Sequence, residues 1–135
     1  MRLGIRQQES GGDYTIANFD NTSHGAYQFK PRYWLSWAVL LGDDEAAEYP
    51  KASDAPPAIQ DRMAAAALQH MWEKNTRLGK DWERLIAAWF TGEADPLLYG
   101  DKKYWTVVPG GSSNPANPSI RKYVDSVLAH IKEIQ

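Results

Sequence analysis

Four stretches of the chain carry apolar residues at helical spacing, each bounded by proline, glycine or asparagine. The first runs from Pro31 through Trp34, Trp37, Ala38 and Leu41 to Gly42. The second opens with Asp54-Ala55-Pro56-Pro57 and carries Ile59, Met63, Ala66, Ala67 and Met71 before about Asn75. The third sets Trp82, Leu85, Ile86 and Trp89 at i, i+3, i+4 and i+7 and ends near Gly92. The last begins at Asn117-Pro118 and carries Ile120, Val124, Val127, Leu128 and Ile131. Proline just inside the start, glycine just past the end and a 3.6-residue period between them are the marks of amphipathic helices. A mainly α fold follows. Residues 1–9 add a short helix with Leu3 and Ile5 inward, which Gly11-Gly12 would stop. Residues 13–29 mix aromatic positions with Asn, Asp, Ser and Gly, which predicts an irregular loop or a small β-hairpin and leaves little room for strand elsewhere. Residues 106–118, rich in Pro, Gly, Ser and Asn, predict a loop lying beside a cleft. No repeat occurs at solenoid periods.

With 135 residues and 43% apolar content, the expectation is one domain spanning residues 1–135 with a real core. The formal net charge is only -2 and the basic residues are scattered, so there is no stripe that could neutralise a phosphate backbone, and nucleic acid is not an expected partner. The chain has no cysteine, which removes disulfides, thiol catalysis and Cys-ligated zinc. His24, His70 and His130 lack short ligand spacing, so no metal is expected and all three read as structural or exposed. No phosphate loop or nucleophile elbow is present, and no cofactor is implied. No window is long enough to cross a bilayer, and Met1-Arg2-Leu3-Gly4-Ile5-Arg6 lacks the apolar stretch of a signal peptide. Release without a signal, or origin in a larger phage or secreted protein, are the two readings of that start.

Catalytic chemistry is most legible at Glu9-Ser10-Gly11-Gly12-Asp13-Tyr14 and Gly25-Ala26-Tyr27-Gln28-Phe29. Breaking a glycosidic bond needs a proton on the departing oxygen, hence a carboxylic acid kept neutral near pH 7. Glu9, at the C-terminal end of the first helix, would feel the negative pole of the helix dipole, with Tyr14, Tyr27 and Phe29 as candidate walls to add desolvation. The plainer alternative is a surface carboxylate at a helix end. A hydrolytic route also needs a second carboxylate. Asp20 and Asp13 are the candidates, although both also suit turn positions.

In order along the chain, Glu9-Ser10-Gly11-Gly12, Gly25-Ala26-Tyr27-Gln28-Phe29, Ala88-Trp89-Phe90-Thr91-Gly92 and Ser119-Ile120-Arg121-Lys122-Tyr123-Val124 resemble the four signatures of the soluble lytic transglycosylase and goose-type lysozyme superfamily. The first two also resemble resuscitation-promoting factors and phage tail or endolysin lysozyme domains. The resemblance implies a lysozyme-like fold that cuts the β-1,4 bond between N-acetylmuramic acid and N-acetylglucosamine in peptidoglycan glycan strands, outside the cell or in its envelope. It implies that Glu9 is the catalytic acid. In the lytic transglycosylase route Glu9 alone suffices, and the product carries a 1,6-anhydromuramyl end. Ser10, Gln28 and Tyr123 match positions expected to touch substrate or brace the acid, while Tyr27 and Trp89 are further substrate-contact candidates at positions where the signatures usually carry an apolar residue and a Tyr. Ser10 equally suits a turn hydroxyl, Gln28 an ordinary loop residue, and Trp89 and Tyr123 the apolar stripes of their helices. Two departures stand out. The third signature usually reads Ala-Tyr-Asn-x-Gly, so the contact of its Asn is not carried over to Phe90. Tyr27 replaces the usual apolar residue before Gln28, which suggests an altered subsite floor. A hydrolytic muramidase of a phage endolysin or tail is the close rival, and a non-catalytic cell-wall-binding module is the alternative of another class.

Overall fold

The computed structural model describes residues 1–106 and 118–134. They are mainly helical, with α1 over Arg2–Ser10, α2 over Pro31–Leu41, α3 over Asp44–Ala47, α4 over Pro57–Lys74, α5 over Trp82–Thr91 and α6 over Ile120–Ile134. Short 3-10 turns occupy Ala52–Asp54, Thr76–Leu78, Pro96–Tyr99 and Lys102–Thr106. The helix boundaries follow local chemistry. Pro31 and Pro57 open α2 and α4, where a missing N–H costs nothing. The Asp43 and Asp81 carboxylates cap α3 and α5 by accepting from Ala46 N–H and from the N–H groups of Glu83 and Arg84.

Among the described residues there is no strand. The segment 13–29 makes only isolated antiparallel bridges, Ala17 to His24 and His24 to Phe29. Its ladder is interrupted by side-chain turns, in which the Asn18 carboxamide accepts from the N–H groups of Thr22 and Ser23, and by Asn21 and Gln28, both at positive φ. The expected loop at 106–118 lies almost wholly outside the described residues.

The core gathers Ile5 from α1, Trp34 and Ala38 from α2, Met63, Ala64 and Leu68 from α4, Leu85 to Ala88 from α5, and Ile120, Val124 and Val127 from α6. Burying each larger aliphatic side chain favours folding by roughly 1.5–3 kcal/mol. One expectation fails at Trp82, which is 59% exposed. It is the first residue of α5, and the buried stripe starts a turn later at Leu85; Trp82 instead stacks outside on Trp72, ring centroids 4.3 Å apart.

Helices α1 and α6 lie antiparallel in close contact. A Cβ on Gly4 would stand 2.7 Å from Ile131 Cγ1 and 2.9 Å from the Val127 carbonyl, so only glycine lets the backbones approach this far. That approach places the C-terminal end of α1 beside the start of α6, where Glu9 meets Tyr123.

Candidate functional site

Helix α1 ends at Gly11, whose N–H bonds to the Gln7 carbonyl, so Glu9 lies in the last turn with the negative end of the helix dipole. Glu9 keeps part of its surface open to solvent, while its carboxyl is packed deeply enough that burial raises its pKa from 4.5 to about 7. Interaction with the Tyr123 hydroxyl works in the opposite sense, favouring the carboxylate, and is the smaller effect.

Tyr123 comes from the first turns of α6, where its ring stacks on Phe90 of α5 at 4.5 Å and 10°. Its phenol is held neutral, first by burial and then by the charge of Glu9. Tyr123 Oη forms no hydrogen bond of good geometry to any described residue. Its interaction with Glu9 is therefore weaker than a well-aligned hydrogen bond.

The turn Gly25–Gln28 lies against the end of α1. The Ser10 hydroxyl shares its one proton between the Ala26 carbonyl at 2.8 Å and the Arg6 carbonyl at 3.1 Å, and accepts from Gly12 N–H at 3.1 Å. Its single O–H is thus engaged in joining the end of α1 to the Gly25–Gln28 turn. Gln28 adopts φ 56°, which is uncommon for a residue with a Cβ, and its amide donates to the Gly25 carbonyl at 2.8 Å while its side chain stays partly exposed.

Tyr27 departs from the expected role. It is 1% exposed, and its hydroxyl donates to Asp61 at 2.6 Å and accepts from Arg2. Tyr14 likewise turns its hydroxyl to Asp61, at 2.8 Å. Tyr27 therefore packs inward and cannot serve as a subsite floor in this arrangement. Trp89 is partly buried; its indole N–H donates to the Tyr27 carbonyl at 3.1 Å and its ring meets Phe29 edge-on at 5.2 Å, so it braces the same turn from α5.

The two candidate second carboxylates both sit in local turns. Asp13 is exposed, and its Oδ1 accepts from the Thr15 hydroxyl and N–H, which lowers its pKa. Asp20 is exposed, and its Oδ1 accepts from the Thr22 hydroxyl at 2.6 Å and the Thr22 N–H at 3.3 Å. Both carboxylates close local turns.

Two residues of α4 that the sequence did not single out are central here. Asp61 Oδ1 gathers Tyr14, Tyr27 and Arg2, the last at 3.1 Å. Gln60, 1% exposed, accepts from Ala26 N–H at 2.9 Å and donates to the carbonyls of Tyr14 and Ala55. The one available signal was a Gln on the apolar face of a helix, between Ile59 and Met63.

Among the described residues no group of three His, Asp or Glu side chains is placed to hold a metal ion. His24 is buried, His70 lies edge-on to Trp37 at 5.5 Å, and His130 stands 3.4 Å from Glu133. No helix among the described residues is long and apolar enough to cross a membrane. A groove of about 320 Å³ between the start of α1 and the end of α6 is lined by Met1, Arg2, Leu3, Gly4, Ile131 and Ile134, and does not include Glu9. Compared with known protein families, curated proteins and solved structures, the chain finds no significant match in any of the three.

Proposed function

We propose that this chain is a peptidoglycan-cleaving enzyme of lysozyme-like fold, in which Glu9 breaks the β-1,4 bond between N-acetylmuramic acid and N-acetylglucosamine. The observation that carries the reading is a carboxyl group that burial lifts to a pKa of about 7, packed beside a neutral phenol on a residue that keeps part of its surface exposed. Such an acid can both give and take a proton under physiological conditions.

The anhydro-forming route is favoured over hydrolysis because Asp13 and Asp20 are exposed and engaged in local turns. Neutral Glu9 protonates the glycosidic oxygen as the bond to the muramyl C1 breaks, releasing the 4-hydroxyl of the leaving sugar. Glu9, now a carboxylate, accepts the proton of the muramyl 6-hydroxyl while O6 closes onto C1. The ring closure consumes no water, and Glu9 ends protonated as it began. Tyr123, neutral and beside the carboxyl, stabilises the carboxylate between the two steps.

Release of soluble fragments from purified peptidoglycan by the native protein and by Glu9→Gln tests the reading. Fragments from the native protein alone support it. Equal release removes the assignment of Glu9, and none from either leaves a non-catalytic cell-wall-binding module.

A further inference from the structure

The turn that faces the end of α1 is gripped on both polar groups of one residue. The Ala26 carbonyl accepts from Ser10, the neighbour of Glu9, at 2.8 Å, and the Ala26 N–H donates to Gln60 Oε1 at 2.9 Å. Gln60 also spends both N–H donors, on the Tyr14 carbonyl at 3.0 Å and the Ala55 carbonyl at 2.8 Å, so three separate chain segments meet on one buried carboxamide. The fit is close: a Cβ on Gly25 would lie 2.4 Å from Gln60 Oε1. From this geometry we infer that Gln60 is a positioning residue for Glu9, acting through Ala26 and Ser10 to keep the turn closed against the end of α1.

The inference rests on the proposed role of Glu9 but is read without turnover. Charge-neutral, and with both donors and its carbonyl oxygen engaged, Gln60 holds the turn from α4 while Trp89 holds the adjacent Tyr27 carbonyl from α5. If the Gln60 grip is lost, Ala26 can leave Ser10 and water reaches the Glu9 carboxyl, easing the burial that favours its neutral form. The titratable group acting on Glu9 among the described residues is Tyr123 on α6, which none of the test variants touches.

The test is NMR titration of carbon-13-labelled Glu9 in the native protein, in Gln60→Leu, which keeps volume but removes all three hydrogen bonds, and in Ser10→Ala, which cuts the other grip on Ala26. Leu78→Ala, a core truncation in the Thr76–Leu78 turn, controls for general loosening. The expected result is a Glu9 midpoint near 7 in the native protein and in Leu78→Ala, lower by at least about one pH unit in Gln60→Leu and in Ser10→Ala. Should Gln60→Leu fail to fold, Gln60→Met takes its place, an unbranched side chain of similar length that removes the same three hydrogen bonds. A native midpoint near 7 that neither variant moves overturns the positioning role while leaving the Glu9 reading intact. A native midpoint near 4.5 overturns the Glu9 reading itself.

Discussion

Glu9, in the last turn of α1, and Tyr123, in the first turns of α6, face one another from opposite ends of the chain, and each shapes the other's protonation. Burial sets the direction for both groups: the carboxyl is lifted to about 7, and the phenol stays neutral. The antiparallel approach of the two helices over Gly4 makes the pairing possible.

Replacing the Tyr123 hydroxyl separates its electrostatic role from its packing. Tyr123→Phe keeps the ring on Phe90 and removes a hydroxyl without a well-formed partner, so stability should change by less than about 1 kcal/mol. Because the hydroxyl favours the Glu9 carboxylate, its loss should raise the Glu9 midpoint further. Activity should fall roughly tenfold or more through loss of a donor to the carboxylate. Thermal unfolding and a pH–rate profile of the variant check all three.

Activity should decline as pH rises through about 7, because the first step needs Glu9 neutral. A profile of kcat/KM against pH on soluble glycan fragments should show that basic limb. A limb near 4.5 would mean that the carboxyl is not held neutral by its surroundings.

Stability should follow the same titration. The folded-state pKa of Glu9 lies above its unfolded value, so the group's contribution is fully present below about 4.5 and is lost progressively as pH rises to about 7. Above that window Glu9→Gln, which cannot ionise, should be more stable than the native protein by about 1–2 kcal/mol, allowing for the partial solvent access of Glu9. Denaturant melts at pH 5 and pH 8 check the sign: the advantage of Glu9→Gln should appear at the higher pH.

Asp13→Asn and Asp20→Asn should each retain activity within about threefold, since both carboxylates close local turns that an Asn can keep. A loss of about 100-fold in either would identify a water-activating base and favour hydrolysis.

Gly25→Ala should destabilise the fold by about 2–4 kcal/mol. Position 25 has φ +81°, and the new methyl would strike the Gln60 carboxamide. A melting temperature within a degree of native would show that the carboxamide moves aside freely.

Much of this architecture is legible because its signals are local. Pro31 and Gly42 bracket α2, Gly92 ends α5, and Gly11 ends α1 two residues after Glu9. What is not legible depends on partners distant in sequence. Tyr27 looks like a cleft residue from its neighbours, and it turns inward because Arg2 and Asp61 meet its hydroxyl. Gln60 and Asp61 lie on a helix whose period explains its apolar face but not why two polar residues there bind a loop 34 residues earlier. The four-residue α3 and the 3-10 turns are too short to carry a period at all.

The central claim is tested most directly by mass spectrometry of the soluble products released from purified peptidoglycan by the native protein, with Glu9→Gln alongside. The account predicts 1,6-anhydromuramyl ends from the native protein and no products from the variant. Reducing muramic acid ends would contradict the anhydro route and show that water attacks, and identical products from Glu9→Gln would contradict the role of Glu9.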